Sequence, residues 1–471
     1  MKTLIFTIIV SLFAQACNAE SKATSTSTVD DQKRVAVTVY NAGFGVVRDE
    51  REVTLPVGVL ELKFMDVASS IQPATVQIEG EKLNVLEQNY EYDLMSPEKL
   101  LEKYVGRKIT LIQYNAYQNE RIPVEAELLS YNNRKPIYKI DDKIVINRQY
   151  EEIKLPSIPE NLVSKPTLIW NLENQAKEKQ TIVANYMTSG MRWNADYVMV
   201  LADDEKTCNI NGWVTINNNC GATFKDAQLK LVAGDVQKIQ PRIGRGYDTL
   251  DESVMMAKAA PAFREESMFE YHMYTLERPS TLKQNQQKQI SLLEANGINV
   301  KKTFRYIGNK YIYRNKQGGT DKSGKVGVFV SFYNSKKNNL GMPLPKGVVR
   351  VYKADSSGNN QFVGEDRIDH TPKDEEIELK LGDAFDVVAE RRQTDYKKLG
   401  SRMCETAWEV KIKNHKEKDI VVEVVEPFFG DWEILQESIK SEKKDAWTAV
   451  FKVPVKADGE TKINYRVRIK W

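Results

Sequence analysis

The sequence predicts an all-β protein made of several antiparallel β-sandwich modules of the immunoglobulin-like type, with a small SH3-like barrel inserted between them and little helix. Apolar and polar residues alternate along most of the 471-residue chain. Every second residue from 463 to 471 is apolar, for example, and the residues between them are polar. Such alternation is typical of antiparallel strands that bury one face. Turns such as Asn41-Ala42-Gly43 and Asp458-Gly459 separate these runs, as they do in sandwiches and barrels.

Residues 1–19 have the layout of a secretory signal peptide. Lys2 gives a positive start, residues 4–13 are mostly apolar, and small residues follow at Ala14, Ala16 and Ala19. A run of about ten apolar residues is too short to span a bilayer, and no later run reaches the ~18 residues that a membrane helix needs. The sequence therefore predicts an exported protein of the periplasm or outer membrane.

Cys17 is a candidate lipid attachment site. The run Ala14-Gln15-Ala16-Cys17 resembles a lipobox, in which the cysteine thiol receives a diacylglycerol and becomes the new N-terminus. In the alternative, cleavage after Ala16 or Ala19 makes Cys17 incidental. Residues 20–33 are rich in Ser and Thr and nearly free of large apolar residues, which predicts a flexible tether between a lipid anchor and the first domain.

The other three cysteines are Cys208, Cys220 and Cys404. Cys208 and Cys220 flank one predicted strand and would lie about 40 Å apart at ~3.3 Å per residue, which is too far for a bridge. A pairing of Cys404 with either of them stays open in an oxidising compartment. Because no C-x-x-C spacing occurs, we expect no structural zinc.

The hydrophobic pattern divides the chain that follows the tether into consecutive regions. An N-terminal β-region at 34–96 precedes residues 97–155, where one clear helix is followed by about five short strands that predict the SH3-like barrel. Ser96-Pro97 and Gly106 mark the two ends of the helix. A β-sandwich region is expected at 156–240.

The region after residue 240 loses its periodicity. Residues 241–270 predict a mobile loop, since loops of this length in compact proteins are functional or disordered. The strand pattern resumes afterwards and predicts one or more C-terminal β-sandwich regions at 271–471.

Several runs between residue 166 and the end of the sequence resemble one protein family. They are YMTSGMRWNADY at 186–197, GWVTINN at 212–218, LKLVAGD at 229–235, GEDRIDHTPKDEE at 364–376, GDAFDV at 382–387 and DGETKINY at 458–465. These runs are similar to those of the bacterial family called domain of unknown function 4139, which is grouped with mucoidy-inhibitor-A-like proteins. The resemblance implies an exported β-sandwich protein with no established reaction. Some members carry a coiled coil where this chain has the predicted small barrel.

Charge and motifs argue against several classes of function. The 68 basic and 65 acidic residues are mixed throughout and leave a net charge of +3, which indicates neither a nucleic-acid-binding face nor a polybasic membrane patch. GTDKSGK at 319–325 fits the first seven positions of a phosphate-binding loop, but Val326 stands where Ser or Thr would hold magnesium. A glycine-rich hairpin turn explains this run better.

His370 lies close in sequence to several carboxylates, namely Asp366, Asp369, Asp374 and Glu376. A histidine oriented by a carboxylate can act as a general base, and the acidic residues could instead hold calcium or form the acid pair of a glycosidase. However, Thr371-Pro372 indicates a turn, and no G-x-S-x-G nucleophile motif occurs. We therefore predict no catalytic residue, cofactor or metal, and keep these five residues as a candidate surface site.

Aromatic residues offer a second candidate surface. Tryptophans in sandwiches usually belong to the core, but the turn that holds Phe428, Phe429 and Trp432 is too short to bury all three. Exposed rings of this kind can stack on sugars.

Two hypotheses follow from the sequence. The first is a non-enzymatic envelope protein that uses sheet edges and loops to hold an envelope protein partner, with the membrane as a further contact if Cys17 is acylated. The alternative is a glycan-binding or glycan-processing envelope protein that uses the Trp432 region or the turn from Asp366 to Glu376.

Overall fold

The computed structural model describes residues 23–91, 95–115, 119–146, 150–159, 162–234, 236–238 and 263–471. These residues form strands almost throughout, which confirms the all-β prediction. Within them, α1 (Pro97–Lys103) is the only α-helix, and short 3-10 turns occur at Val29–Asp31, Pro73–Thr75, Ile312–Arg314 and Lys336–Asn338. None of the helices in these ranges is long and apolar enough to cross a membrane.

The strands are numbered in chain order. The first fifteen are β1 (Ala23–Ser27), β2 (Gln32–Tyr40), β3 (Phe44–Thr54), β4 (Gly58–Met65), β5 (Gln77–Glu79), β6 (Leu83–Glu91), β7 (Lys108–Asn115), β8 (Glu120–Asn132), β9 (Lys135–Ile140), β10 (Lys143–Ile146), β11 (Glu152–Lys154), β12 (Thr167–Asn174), β13 (Lys179–Ser189), β14 (Met191–Leu201) and β15 (Thr207–Asn218). The others are β16 (Phe224–Ala233), β17 (Phe263–Met268), β18 (Tyr271–Leu276), β19 (Ser280–Leu282), β20 (Gln286–Asn299), β21 (Lys301–Ile307), β22 (Thr320–Tyr333), β23 (Gly347–Ala354), β24 (Asn360–Ile368), β25 (Glu376–Gly400), β26 (Met403–Asn414), β27 (Ile420–Pro427), β28 (Asp431–Glu437), β29 (Ser441–Asp445), β30 (Thr448–Val455) and β31 (Gly459–Lys470).

The chain folds into two compact units, each assembled from separated stretches. Unit 1 comprises the described parts of Met1–Ala36, Val46–Ser189 and Cys220–Phe224. Unit 2 comprises those of Val37–Gly45, Gly190–Asn219 and Lys225–Trp471.

Unit 1 contains a four-stranded sheet in the order β1-β4-β12-β6. Leu60, Leu62 and Phe64 alternate along β4 and are all buried, and Phe64 meets Trp170 of β12 edge to face with 5.6 Å between ring centroids. The apolar residues that alternate along β4 in the sequence thus form part of the inward face of this sheet.

Part of the segment that was predicted to be a flexible tether is instead β1. Residues Ala23 to Ser27 pair in parallel with β4, from Ala23 opposite Leu60 to Ser27 opposite Phe64. The Ser- and Thr-rich composition was misleading because sheet pairing is made by backbone groups, and threonine favours extended backbone. The tether prediction is therefore wrong for these residues, while residues 20–22, Cys17 and the signal peptide at 1–19 lie outside the described residues.

The region that carries α1 forms a five-stranded sheet in the order β10-β9-β8-β7-β11. As predicted, Ser96 caps the helix by accepting a hydrogen bond from the Lys99 N–H at 3.2 Å, and Gly106 follows the helix with φ +79°. Tyr104 closes the small core of this sheet and is buried. Among the described residues the sheet stays open, with β10 and β11 at its edges, so the expected SH3-like barrel does not close.

Unit 2 contains a five-stranded sheet in the order β20-β15-β14-β23-β24, in which β14 and β23 are parallel. It also contains the antiparallel neighbours β16, β18 and β17. β17 occupies Phe263–Met268 and pairs with β18, so the mobile-loop prediction is wrong for the end of 241–270. Residues 239–262 lie outside the described residues.

A nine-stranded sheet completes unit 2 in the order β28-β31-β26-β25-β22-β21-β27-β30-β29. Strands β31 and β30 lie six positions apart in this order, yet Tyr465 of β31 stacks on Phe451 of β30 with 5.2 Å between ring centroids. The sheet therefore folds over itself, and two layers of one sheet enclose the core. The run GTDKSGK at 319–325 is neither a phosphate loop nor a hairpin turn, because most of it lies in β22, with a register shift against β25 between Asp321 and Gly324.

All three described cysteines are free and buried. Cys208 and Cys220 flank the long strand β15, as expected, and Cys404 does not pair with either. Burial raises the pKa of the Cys208 thiol to about 12 and that of Cys220 to about 11, so both stay protonated and unreactive at neutral pH.

Candidate binding surface

A buried ion pair lies inside the nine-stranded sheet. Nη1 of Arg391 on β25 is 2.9 Å from Oε2 of Glu426 on β27, and both side chains are buried. The other Arg391 terminal nitrogen donates to the hydroxyls of Tyr313 and Tyr465 at 2.8 Å each, and the Tyr313 hydroxyl donates to Glu426 at 2.6 Å. We call these four residues the buried polar cluster.

Burial and charge both act on the pKa values of the buried polar cluster. Burial alone would lower the pKa of Arg391, but the Glu426 carboxylate beside it raises that pKa well above its usual value. Burial raises the pKa of Tyr313 and of Tyr465 far above 10. Arg391 therefore stays charged beside Glu426, and both phenols stay neutral at physiological pH.

The fit around the buried polar cluster is tight and its hydrogen bonding is incomplete. A Cβ on Gly308 would lie 2.6 Å from Nη1 of Arg391 and still closer to Glu426, so only glycine leaves room there. Arg391 also lies over the Trp408 ring at 4.3 Å. Nε of Arg391 and Oε1 of Glu426 have no hydrogen-bond partner among the described residues.

Aromatic packing connects the buried polar cluster to the surface. Phe428 is buried, with its ring centroid 5.0 Å from that of Tyr313 and 4.8 Å from that of Trp432. The next residue, Phe429, is half-buried and meets Trp471 with centroids 5.4 Å apart. Phe428 and Phe429 therefore point to opposite sides of one turn, as neighbours on extended backbone do.

The outer layer of this packing is a surface that we call the aromatic rim, defined by Phe429, Trp432, Trp447, Trp471, Arg314 and Lys443. Trp447 is 56% exposed, and its carbonyl accepts a hydrogen bond from the Phe428 N–H at 2.6 Å. The Trp432 indole is half-buried and donates to the Ala446 carbonyl at 2.7 Å. β28 and β29 lie at the two ends of the sheet order, and this hydrogen bond joins the segments that carry them.

Two cations lie over the rings of the aromatic rim. The Arg314 guanidinium carbon is 4.4 Å from the Phe429 ring centroid and 5.7 Å from that of Trp471. The Lys443 ammonium is 4.8 Å from the Trp432 ring centroid. Each cation–π contact of this kind contributes roughly 0.5–1 kcal/mol at an exposed site. Arg314 directly follows Tyr313, so one short turn supplies both the buried polar cluster and the rim.

Sequence reasoning identified only part of this surface. Phe428, Phe429 and Trp432 were predicted as exposed aromatics, but Phe428 is buried and only the other two reach the surface. Arg391 was missed, although it continues the inward-facing series Val387 and Ala389 of β25. A charged residue at an inward position was the signal that could have revealed it, and Glu426 shows the same signal after Val422 and Val424.

His370 contacts the backbone of Lys346 and the side chain of Asn41. The Lys346 N–H donates to Nδ1 of His370 at 3.2 Å, which requires that nitrogen to be unprotonated. Nε2 of His370 lies 3.1 Å from Nδ2 of the Asn41 side-chain amide. These contacts join two turns of unit 2 and explain the residue as a packing element.

The acidic residues near His370 lie in different local settings. The Asp366 side chain accepts hydrogen bonds from the Lys380 and Arg367 N–H groups at 2.7 and 2.8 Å. The Asp369 carbonyl accepts from the Thr371 hydroxyl, and Asp374 has φ +65° in a turn. Glu376 is exposed at the start of β25.

Metal-binding and concave features are sparse in the part of the chain that is described. No group of three or more His, Cys, Asp or Glu side chains there could hold a metal ion. A shallow groove of about 220 Å³ in unit 1 is lined by Ser25, Thr26, Asp31, Glu52, Val53, Thr54 and Leu62. Its lining lacks a nucleophile paired with a base, which the common catalytic sites need.

The fold and the rim together define an all-β protein with an exposed aromatic and cationic surface. A family model described as Domain of unknown function (DUF4139) matches residues 182–471. The chain belongs to this family, and every residue of the aromatic rim and of the buried polar cluster lies within the matched part. Among curated proteins, none matches the chain.

Proposed function

We propose that this chain is a non-enzymatic protein of the bacterial cell envelope that holds a protein partner through the aromatic rim. The composition of the rim carries the proposal. Tryptophan and arginine dominate the energetic centres of protein interfaces. The rim presents three tryptophans, one phenylalanine, one arginine and one lysine. The buried polar cluster behind it supplies a rigid support rather than a reacting group, since its side chains are enclosed.

The features of residues 1–19 support export to the periplasm or outer membrane, and Cys17 supports a lipid anchor. A single acyl chain binds membranes only weakly, whereas the several chains of a bacterial lipoprotein hold it firmly. The protein would then present its rim to other envelope components while it is held at the membrane.

Glycan binding is the second candidate, and the exposed indole of Trp447 favours it. A free indole face can stack on a sugar ring. The other rings of the rim fit this function less well. Phe429 and Trp471 are inclined at 62°, and Arg314 already lies over both.

Photo-crosslinking in living cells tests the proposal. A photoreactive phenylalanine analogue replaces Trp447 in the rim, and in a control strain it replaces Phe385, which is 97% exposed on β25 outside the rim. We expect one protein to be captured from position 447 in near-stoichiometric yield and not from position 385. Capture of glycan alone, or equal capture at both positions, would contradict the proposal.

A further inference from the structure

Most arginines on the nine-stranded sheet are neutralised by carboxylates. Arg305 forms a forked contact with Glu378 at 2.8 and 2.9 Å and a further contact with Glu423. The same holds for Arg466 with Asp395 and for Arg468 with Glu405, each at 2.7 Å. Such pairs leave little charge for an external ligand.

Arg314 and Lys443 differ from these residues. Both are exposed, and their partners are the rings of Phe429, Trp471 and Trp432. Neither has a carboxylate partner among the residues that the structure describes. A guanidinium that lies over aromatic rings can still offer its N–H groups as a fork to a carboxylate.

The acidic residues nearest to Lys443 in sequence are already engaged. Glu442 accepts two hydrogen bonds from Lys452 at 2.9 and 3.0 Å, and Asp445 accepts one from the Trp447 N–H at 2.7 Å. Asp431 at the start of β28 is exposed and is the acidic residue of the turn itself. The rim therefore combines two cations that lie over aromatic rings, and the turn beside it adds one exposed carboxylate.

We infer that the aromatic rim docks an acidic segment of a protein partner, with Arg314 and Lys443 as the carboxylate contacts. This inference rests on the proposed function and names the chemistry of the partner. An acidic peptide fits better than an acidic glycan, because the cations lie over the rings of Phe429, Trp471 and Trp432 and the first two of these rings are inclined at 62°. A sugar chain that stacked on those faces would displace the cations that should bind its acid groups.

The test uses the full chain and a fluorescently labelled ten-residue polyglutamate, with binding followed by anisotropy at low salt. We expect the double variant Arg314→Gln, Lys443→Gln to bind about tenfold more weakly than the wild type, which corresponds to about 1.4 kcal/mol. The matched control Arg392→Gln, Lys413→Gln removes the same charge from positions that pair with Glu409 and Glu390 on the same sheet, and it should bind like the wild type. Asp431→Asn should strengthen binding.

Equal loss in both double variants would show attraction to net charge alone and would overturn the inference. Binding of a polyuronate in preference to polyglutamate would also overturn the inference and would indicate that the rim binds acidic glycans. If position 447 captures a protein in cells while polyglutamate binding ignores Arg314 and Lys443, the inference fails and the proposed function stands.

Discussion

Arg391 and Glu426 form an ion pair in the interior of the folded nine-stranded sheet, with 3% and 0% of their side chains exposed. The desolvation of such a pair is costly, and the pair offsets that cost only through close geometry and additional hydrogen bonds. Tyr313 and Tyr465 supply those bonds. Removing either charge would leave the other without its partner in the core.

We therefore expect Arg391→Ala to lower the free energy of unfolding by about 3–5 kcal/mol. The neighbouring Arg392 is the matched control, because it faces solvent and pairs with Glu409 at 3.3 Å. Arg392→Ala should cost less than about 1 kcal/mol. Urea unfolding followed by tryptophan fluorescence measures both. If the two substitutions lowered the free energy of unfolding equally, the buried pair would stabilise the fold no more than an exposed pair does.

The double variant Arg391→Met, Glu426→Leu tests whether the two buried charges contribute to stability only as a pair. Apolar side chains of similar volume remove both charges together, so much of the stability lost in the single variants should return. We expect the double variant to unfold within about 2 kcal/mol of the wild type. A double variant as unstable as the sum of the two single variants would show that the pair is not coupled.

Buried asparagines at strand ends provide a third prediction. Asn414, the last residue of β26, donates to the carbonyls of Lys418 and Lys456 at 2.8 and 2.9 Å and accepts from the Lys416 N–H. Asn414→Ala should lower the free energy of unfolding by about 1–3 kcal/mol, because it leaves partly buried backbone groups unpaired. Asn359→Ala, in an exposed turn, should have almost no effect. Similar thermal shifts for both would refute this account.

The contacts of Glu205 should make the stability of the fold depend on pH. Burial opposes its ionisation, but hydrogen bonds from Lys302 at 2.7 Å and Lys353 at 2.6 Å outweigh burial and lower its pKa to about 2. Because the folded pKa lies below the unfolded value near 4.5, the contact stabilises the fold above pH ~4.5, and this stabilisation is lost as the pH falls towards 2.

The matching measurement compares the unfolding free energies of the wild type and Glu205→Gln between pH 7 and pH 2.5. We expect a difference of about 1–2 kcal/mol near neutrality, after allowance for solvent screening of these partly exposed groups. That difference should shrink below pH 4.5. A difference that stays constant down to pH 2.5 would contradict the assignment.

Mass analysis of the mature N-terminus tests the predicted lipid anchor. Acylation should appear as a lipid-modified Cys17 at the start of the mature chain. Cys17→Ser should release the protein from the membrane fraction. An unmodified mature chain that begins at Glu20 would exclude the anchor.

The sequence predicted local features well and long-range pairing poorly. Alternation placed Ile463, Tyr465, Val467 and Ile469 on one face, and all four are buried in the nine-stranded sheet. Period-two patterns report which way a side chain points but not which strand it meets. Arg391 lies 35 residues from Glu426 and 78 from Tyr313, so no local pattern could join them.

For the candidate surface too, the sequence predicted the local turn but not the residues that pack against it from elsewhere in the chain. The turn with Phe429 and Trp432 was evident, because consecutive aromatics beside Gly430 cannot all be buried. Arg314 and Lys443 come from other segments and reach that turn only through long-range packing, and Trp471 reaches it because β31 pairs with β28. The strand β1 was not predicted, because its pairing with β4 uses backbone groups and needs no apolar side chains that a sequence pattern would show.

The most direct measurement of the central claim is hydroxyl-radical footprinting of the wild-type protein in its native envelope fraction and after purification. Trp447 in the rim and Phe385 on β25 are both exposed and are read by mass spectrometry in the same sample. A partner on the rim should lower the oxidation of Trp447 several-fold in the envelope and leave Phe385 unchanged. Equal oxidation of Trp447 in both samples would contradict the claim that the rim is the interaction surface of this protein.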